Sequence, residues 1–259
     1  MDYKLSEFSI PDHVWRIYPC PADPRIIVET RSQDTRQVKF YSCHLTKEGL
    51  SNEFKKLPEQ WWIGLAGIYS DVALFHVFKD VENPEGIKIY AFNIQTGVYL
   101  WSNEFVKFIR HDKGLIFVRM LDESSSCYLD LHTGEEVLVS QDQAIDEELI
   151  TTATFYPHQI FEDDKEHLKF KNFISQYLNK QITGTIEYLE FNNHIIFSFH
   201  YRKESNFVAS LVMMDDQGKV LLEEVLYVSE KGFAKDLFFI HFQNLIYLNS
   251  DRKIVVHRF

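Results

Sequence analysis

The chain has 259 residues, 45% hydrophobic and 25% charged, with a net charge of −11 at pH 7. A chain this long buries about 70–75% of its unfolded surface, enough for one large domain. Its lysines and arginines are scattered among acids, which argues against a nucleic-acid partner. No apolar run approaches the ~20 residues of a membrane-spanning helix.

Cys20, Cys43 and Cys127 are odd in number and form no Cys-x-x-Cys pair, which excludes a disulfide framework and a structural zinc site. The start, MDYKLSEFSIPDHVW, lacks the basic and apolar regions of a secretory signal, so the expected location is cytoplasmic. Aromatic residues make up 15% of the chain and favour strands, where rings fit a pleated surface.

Taken in chain order, paired apolar runs precede a glycine hairpin again and again. Val14–Tyr18 and Arg25–Thr30 lead to Tyr41–Asn52, which turns at Gly49. Trp61–Leu65 and Val72–Phe78 lead to Tyr90–Trp101, YAFNIQTGVYLW, which turns at Gly97. Phe105–Ile109 and Leu115–Leu121 lead to Tyr128–Leu138, turning at Gly134. Ile186–Phe191 and Ile195–Tyr201 lead to Leu211–Leu222, turning at Gly218. Glycine supplies the positive φ that such hairpins need, and a preceding Asn or Asp accepts hydrogen bonds from the turn. The last unit, Asp236–Phe242, Leu245–Leu248 and Lys253–His257, has three strands, so Tyr3–Ile10 is expected to supply its fourth.

Four-stranded units of about 40–50 residues are the signature of a β-propeller. The runs FHVF, IIFSFHY and DLFFIHF are apolar on both faces, as strands sandwiched between neighbouring blades must be. The expected fold is all-β, a single propeller-like domain over 1–259 with about five four-stranded blades. An insertion falls at about 140–184. Residues 142–148, DQAIDEE, read as an acidic loop. Asp163-Asp164 then reads as an N-cap for a helix around 159–180, with Phe170, Ile174, Tyr177 and Leu178 on one face. That helix reads as a plug, with a lid or docking role as the alternative.

Ala91, Thr96, Gly97 and Trp101 resemble the tryptophan-docking repeat of the quinoprotein (PQQ-dependent) dehydrogenases, Ala-x-Asp-x-x-Thr-Gly-x-x-x-Trp, with Asn93 in place of the Asp. The resemblance implies a tryptophan that stacks between blades. Leu138 and Leu222 stand where the other repeats would need Trp, so only architecture carries over and no cofactor is expected. The chain also resembles a family of uncharacterised, mostly Bacteroidetes proteins, through Ile27-Val-Glu-Thr-Arg31, Gln60-Trp-Trp-Ile-Gly64, Asn83-Pro-Glu-Gly86, the Asn93–Trp101 turn and Lys235-Asp-Leu-Phe-Phe239. That resemblance implies a propeller-like fold and no activity.

No nucleophile elbow, phosphate loop or HExxH is present. His76 and His200 sit near the ends of corresponding second strands, where two imidazoles could reach one metal. Histidines that merely close a strand give the same pattern, and no metal site is assigned. The turns after the second strands carry Asp34, Asp80 with Glu82, Asp122 with Glu123, Glu204 and Asp251. Such carboxylates would give one face of a propeller an acidic rim, a surface for a protein or small ligand. The favoured expectation is therefore a non-enzymatic binding scaffold. The alternative is a glycan hydrolase using a carboxylate pair among Asp34, Asp80, Asp122 and Glu204.

Overall fold

The computed structural model describes residues 5–46, 51–54, 57, 59–78, 86–121, 125–138, 153–230 and 232–259. Gly49, Asp80, Glu82, Asp122, Glu123 and the acidic run 142–148 lie outside them. The fold is all-β as expected, with five antiparallel, propeller-like sheets and, among the described residues, a single helix. The chain divides into two compact units, residues 11–152 and residues 1–10 with 153–259. Strand β1 (Leu5–Phe8) belongs to the second of these.

In residues 11–152, the first sheet holds β2 (Val14–Pro19), β3 (Arg25–Ser32), β4 (Gln37–His44) and β5 (Ser51–Glu53). The second holds β6 (Ile63–Tyr69), β7 (Val72–Phe78), β8 (Gly86–Asn93) and β9 (Tyr99–Glu104). The third holds β10 (Val106–Asp112), β11 (Leu115–Met120), β12 (Ser126–Asp130) and β13 (Glu136–Val137). Strand β7 is dry on both faces. Ala73, Phe75 and Val77 pack with Ile27 and Phe40 of the first sheet. Val72 and Leu74 pack with Ile116 and Val118 of the third. That is why its sequence shows no polar alternation.

Trp101 locks the second sheet to the third. Its indole Nε1 donates to the Leu131 carbonyl at 2.9 Å. Its ring lies on Gly134, where a Cβ would come within 2.5 Å of it. Gly134 is thus required twice, for its positive φ and for the space the indole fills. Asn93 Oδ1 accepts from the Gln95 and Thr96 N–H groups, and Asp130 Oδ1 accepts from those of His132 and Thr133. The two repeats therefore use the same turn chemistry. One docking residue was not legible. Phe54 follows β5, hydrogen-bonds through its N–H to the Phe40 carbonyl, and packs edge-on against Phe75 and Phe92 of the second sheet. It takes the place that Trp101 takes one sheet later. Leu138 is almost fully exposed and docks nothing among the described residues.

In the other unit, the chain enters through β14 (Thr154–Phe155), β15 (His158–Ile160) and helix α1 (Lys165–Leu178). One sheet is β15 beside β16 (Ile182–Phe191), β17 (His194–Lys203), β18 (Asn206–Asp215) and β19 (Val220–Ser229). The other runs β1, β22 (Ile254–Arg258), β21 (Asn244–Leu248), β20 (Phe238–His241), β14. The N-terminal strand completes the last sheet, as expected: Leu5–Phe8 pairs with Ile254–His257, and Lys253 Nζ reaches Glu7 at 2.8 Å. Strands β14 and β15 were not expected. This short segment adds an edge strand to the first strand of both sheets, which covers hydrogen-bonding edges that would otherwise be bare.

Helix α1 packs on the β16–β17 side through Ile174, Phe170, Phe173 and Leu178. Tyr177, expected on the buried face, is exposed. Phe173 takes the position against Phe197, and Tyr177 meets Phe173 at a tilt, ring centres 4.7 Å apart. Asp164 is the N-cap residue, but its carboxylate accepts from the preceding Phe161 N–H at 2.7 Å and not from the first turn. Among the described residues, no helix is long and apolar enough to cross a membrane.

Candidate functional site

In strand β3 the apolar run Ile26–Val28 is followed by Glu29, Thr30 and Arg31. Glu29 is buried, and a carboxylate taken from water must be paired. Its two oxygens are answered separately. The Tyr18 hydroxyl donates to Oε2 at 2.9 Å, and Arg31 Nε donates to Oε1 at 2.6 Å. Burial and then the Glu29 charge push the Tyr18 phenol up to about 12. Tyr18, and behind it Glu29, hold the Arg16 guanidinium above its ordinary range.

The Arg31 guanidinium lies over two indoles. Its central carbon lies 5.7 Å from the Trp15 ring centre and 5.6 Å from that of Trp61. Its Nη2 also donates to the Ile63 carbonyl at 3.4 Å. Each indole is set by local backbone geometry. Val14 pairs with Thr30 while Arg16 pairs with Glu29, so Trp15 is the extra residue of a β-bulge. Bulges re-aim a side chain. They recur in the first strands β6, β10 and β16, so the bulge itself is architectural, and what is particular here is the tryptophan it projects. Trp61 sits in a loop organised by Glu59, whose Oε1 accepts from the N–H groups of Trp61, Gln60 and Trp62. These bonds, that of Trp61 foremost, hold the Glu59 carboxyl below its ordinary range. The same loop is anchored to β4 by Val38 N–H on the Gln60 carbonyl. The result is a fixed corner of two sheets, with Trp15 54% exposed at its mouth.

Asp34 lies at this end of the first sheet, exposed in the loop after β3. Glu204 and Asp251 lie in the other unit. Glu204 opens the β17–β18 hairpin with a φ of 57°. The Asp251 N–H donates to Asn249 Oδ1 within its turn. Asp34 and these two acids thus belong to separate compact units, and Asp80 and Asp122 lie outside the described residues.

The two histidines also fall in separate units. His76 lies over Gly64, where a Cβ would come within 3.0 Å of its Nε2, and meets Phe78 edge-on. His200 Nε2 is 3.1 Å from the Tyr227 hydroxyl. Burial lowers the pKa of both imidazoles. Among the described residues, no three His, Cys, Asp or Glu side chains are grouped to hold a metal ion. The thiols of Cys20 and Cys43 are buried and free, and burial pushes both up, Cys43 to about 12.

A second buried carboxylate, Glu187 on β16, also escaped the sequence reading. Ser198 Oγ donates to it at 2.9 Å, and the N–H groups of Asp236 and Leu237 donate at 2.6 and 3.0 Å. Burial outweighs these bonds and raises its pKa. Glu29 and Glu187 each follow a buried apolar residue, Val28 and Ile186, in a strand, and a buried acid demands a partner.

Residues 21–101 match the family described as a domain of unknown function (DUF4905). This stretch contains Glu29, Arg31, Trp61 and Trp101. No curated protein matches the chain. Among solved structures, BamB from Moraxella catarrhalis is 10% identical over 94% of this chain and 84% of its own, with a TM-score of 0.32. A hypothetical protein from Leishmania major is 9% identical over 99% and 89%, with a TM-score of 0.23. At these TM-scores neither likeness bears on function.

Proposed function

We propose that the chain is a binding scaffold and not an enzyme, and that its contact surface is the corner built by Trp15, Arg16, Arg31 and Trp61. The observation that carries this reading is the fixed guanidinium. Arg31 is fixed by Glu29 and by two indoles before any partner arrives. A surface ordered in advance loses little entropy on binding, and Trp and Arg dominate the energetic centres of protein interfaces. We take Ala91–Trp101 as a quinoprotein-type repeat used for architecture alone, and the chain as a relative of the uncharacterised Bacteroidetes proteins it resembles. Its free thiols suit a reducing compartment, so we place the binding event in the cytoplasm.

Affinity capture from a lysate of the source cells tests the reading, with wild-type protein beside a Trp15→Ala/Arg16→Ala variant. The expected result is one or more partners retained by the wild type and lost by the variant. Identical retention by both would remove this surface. No retention by either, from a protein that hydrolyses a glycan, would remove the scaffold reading altogether.

A further inference from the structure

We infer that the seam between β1 and β22 is an acid-released latch, with the His257 imidazole as its trigger. The seam is short: the four residues Leu5–Phe8 pair with Ile254–His257. One end is well held. Phe8 is 5% exposed, and Lys253 Nζ meets Glu7 at 2.8 Å. At the other end Leu5 opposes His257. His257 is 8% exposed, and neither ring nitrogen has a hydrogen-bond partner. A neutral imidazole tolerates such a place, but a charged one without a partner is costly there. When β1 frays, water reaches the ring, so protonation favours the open seam.

The groups around the ring decide how far this goes. Its face of the sheet carries Leu5 and Glu7 on β1, Leu245 and Tyr247 on β21, and Phe238 and Ile240 on β20. Glu7 is taken by Lys253, and Arg258 alternates to the opposite face. Phe259, two residues on from His257, meets the His194 ring. From the facing sheet, Glu224 of β19 accepts from the Tyr247 hydroxyl at 2.5 Å, and the Tyr247 ring stacks on His257 with centres 6.0 Å apart. Glu224 therefore attracts an imidazolium without a hydrogen bond to it. Burial lowers the His257 pKa from 6.5, and the Glu224 charge opposes that in part. With β1 open, the β22 edge is bare, and a bare edge is a template for another strand. The latch thus couples pH to the exposure of a pairing edge.

The test is amide exchange by mass spectrometry on the full-length protein from pH 7.5 to pH 5.5, corrected for the intrinsic rate, with β21 as internal reference. The ring titration of His257 is followed by NMR on the same protein. The expected result is a ring pKa below 6.5. Opening of residues 5–8 should rise several-fold, at most about tenfold by pH 5.5, while residues 244–248 stay protected. His257→Phe keeps a ring against Tyr247, so it is expected to fold, and it should flatten the rise. Glu224→Gln keeps an acceptor for Tyr247 but loses the charge, and should steepen the rise. A ring pKa at or above 6.5 in wild type would overturn the trigger without any variant. A rise unchanged in His257→Phe would overturn it as well. A rise shared equally by residues 244–248 would overturn the latch, since the whole sheet would then be opening and not its seam.

Discussion

Glu29 and Glu187 are the same problem solved twice, once in each unit. Each is an acid buried within a strand. Glu29 is answered by two long side chains, Arg31 and Tyr18, both half-buried. Glu187 is answered by neutral, inward groups: one serine and the backbone of the connector that leads into β20. The first arrangement leaves charge and aromatic surface at hand for another molecule. The second consumes the carboxylate in holding a loop to the start of a strand. A buried acid answered by side chains thus ties up different groups from one answered by the main chain.

The largest effect should come from breaking the charged pair. Arg31→Ala strands the Glu29 charge in an apolar interface, and we expect a loss of about 3–5 kcal/mol in chemical denaturation. Adding Glu29→Leu should return a large part of it, because replacing both members of a buried pair by apolar groups is nearly neutral. If Glu29→Leu does not rescue Arg31→Ala, the pair is not what the arginine stabilises. Glu187 admits no such rescue by one side chain, since two of its three donors are main-chain.

Glu187→Gln is smaller and sharpens the contrast. The amide keeps one acceptor but turns an N–H₂ toward N–H donors, for an expected loss of about 1–3 kcal/mol. Its pH dependence has a definite sign. The folded pKa is raised by burial, so the folded state binds the proton more tightly than the unfolded chain. Wild-type stability relative to Glu187→Gln should therefore improve as pH falls into the carboxylate range, in urea titrations across that range. His257 has the opposite sign in the same unit. Burial lowers its pKa from 6.5, and neither ring nitrogen has a hydrogen-bond partner. It pairs with Leu5 in the closure strand and stacks on Tyr247, with the Glu224 charge partly opposing the shift. The unfolded chain thus binds more protons below about 6.5, and stability falls with pH there. His257→Phe should remove that share of the acid loss, read as slower amide exchange of residues 5–8 at pH 5.5 than in wild type. Equal exchange would show that His257 stays neutral or that the closure does not depend on it.

How much of this was legible follows from what a pattern can encode. Val72–Phe78 was readable to the residue because a strand dry on both faces is an unbroken apolar run. The closing strand was readable from an incomplete last unit, and Trp101 from its spacing to Gly97 and the matching turn at Gly134. Strands β14 and β15 were not, because two or three residues on a sheet edge carry no period. Phe54 was missed because its own turn lacks the Thr-Gly signature. The acids in the hairpin turns were visible because turns favour Asp and Asn for local reasons, and that made them poor markers of a site. The corner at Arg31 was hidden for the opposite reason. Its parts come from a bulge in β2, the end of β3 and the loop before β6, and no spacing rule links Trp15 to Trp61.

Trp15→Ala should have the smallest effect on stability, and that is its use. The indole is exposed at a bulge, so its removal should change the unfolding free energy by no more than about 0.5 kcal/mol. It also removes one of the two rings over Arg31, while leaving the Glu29 bond and the Trp61 contact in place. A corner kept for folding would show that loss in the melting curve. A corner kept for a partner would show it only in binding. A Trp15→Ala protein that loses 2 kcal/mol or more would therefore move this corner beside Glu187, as a device that holds sheets together.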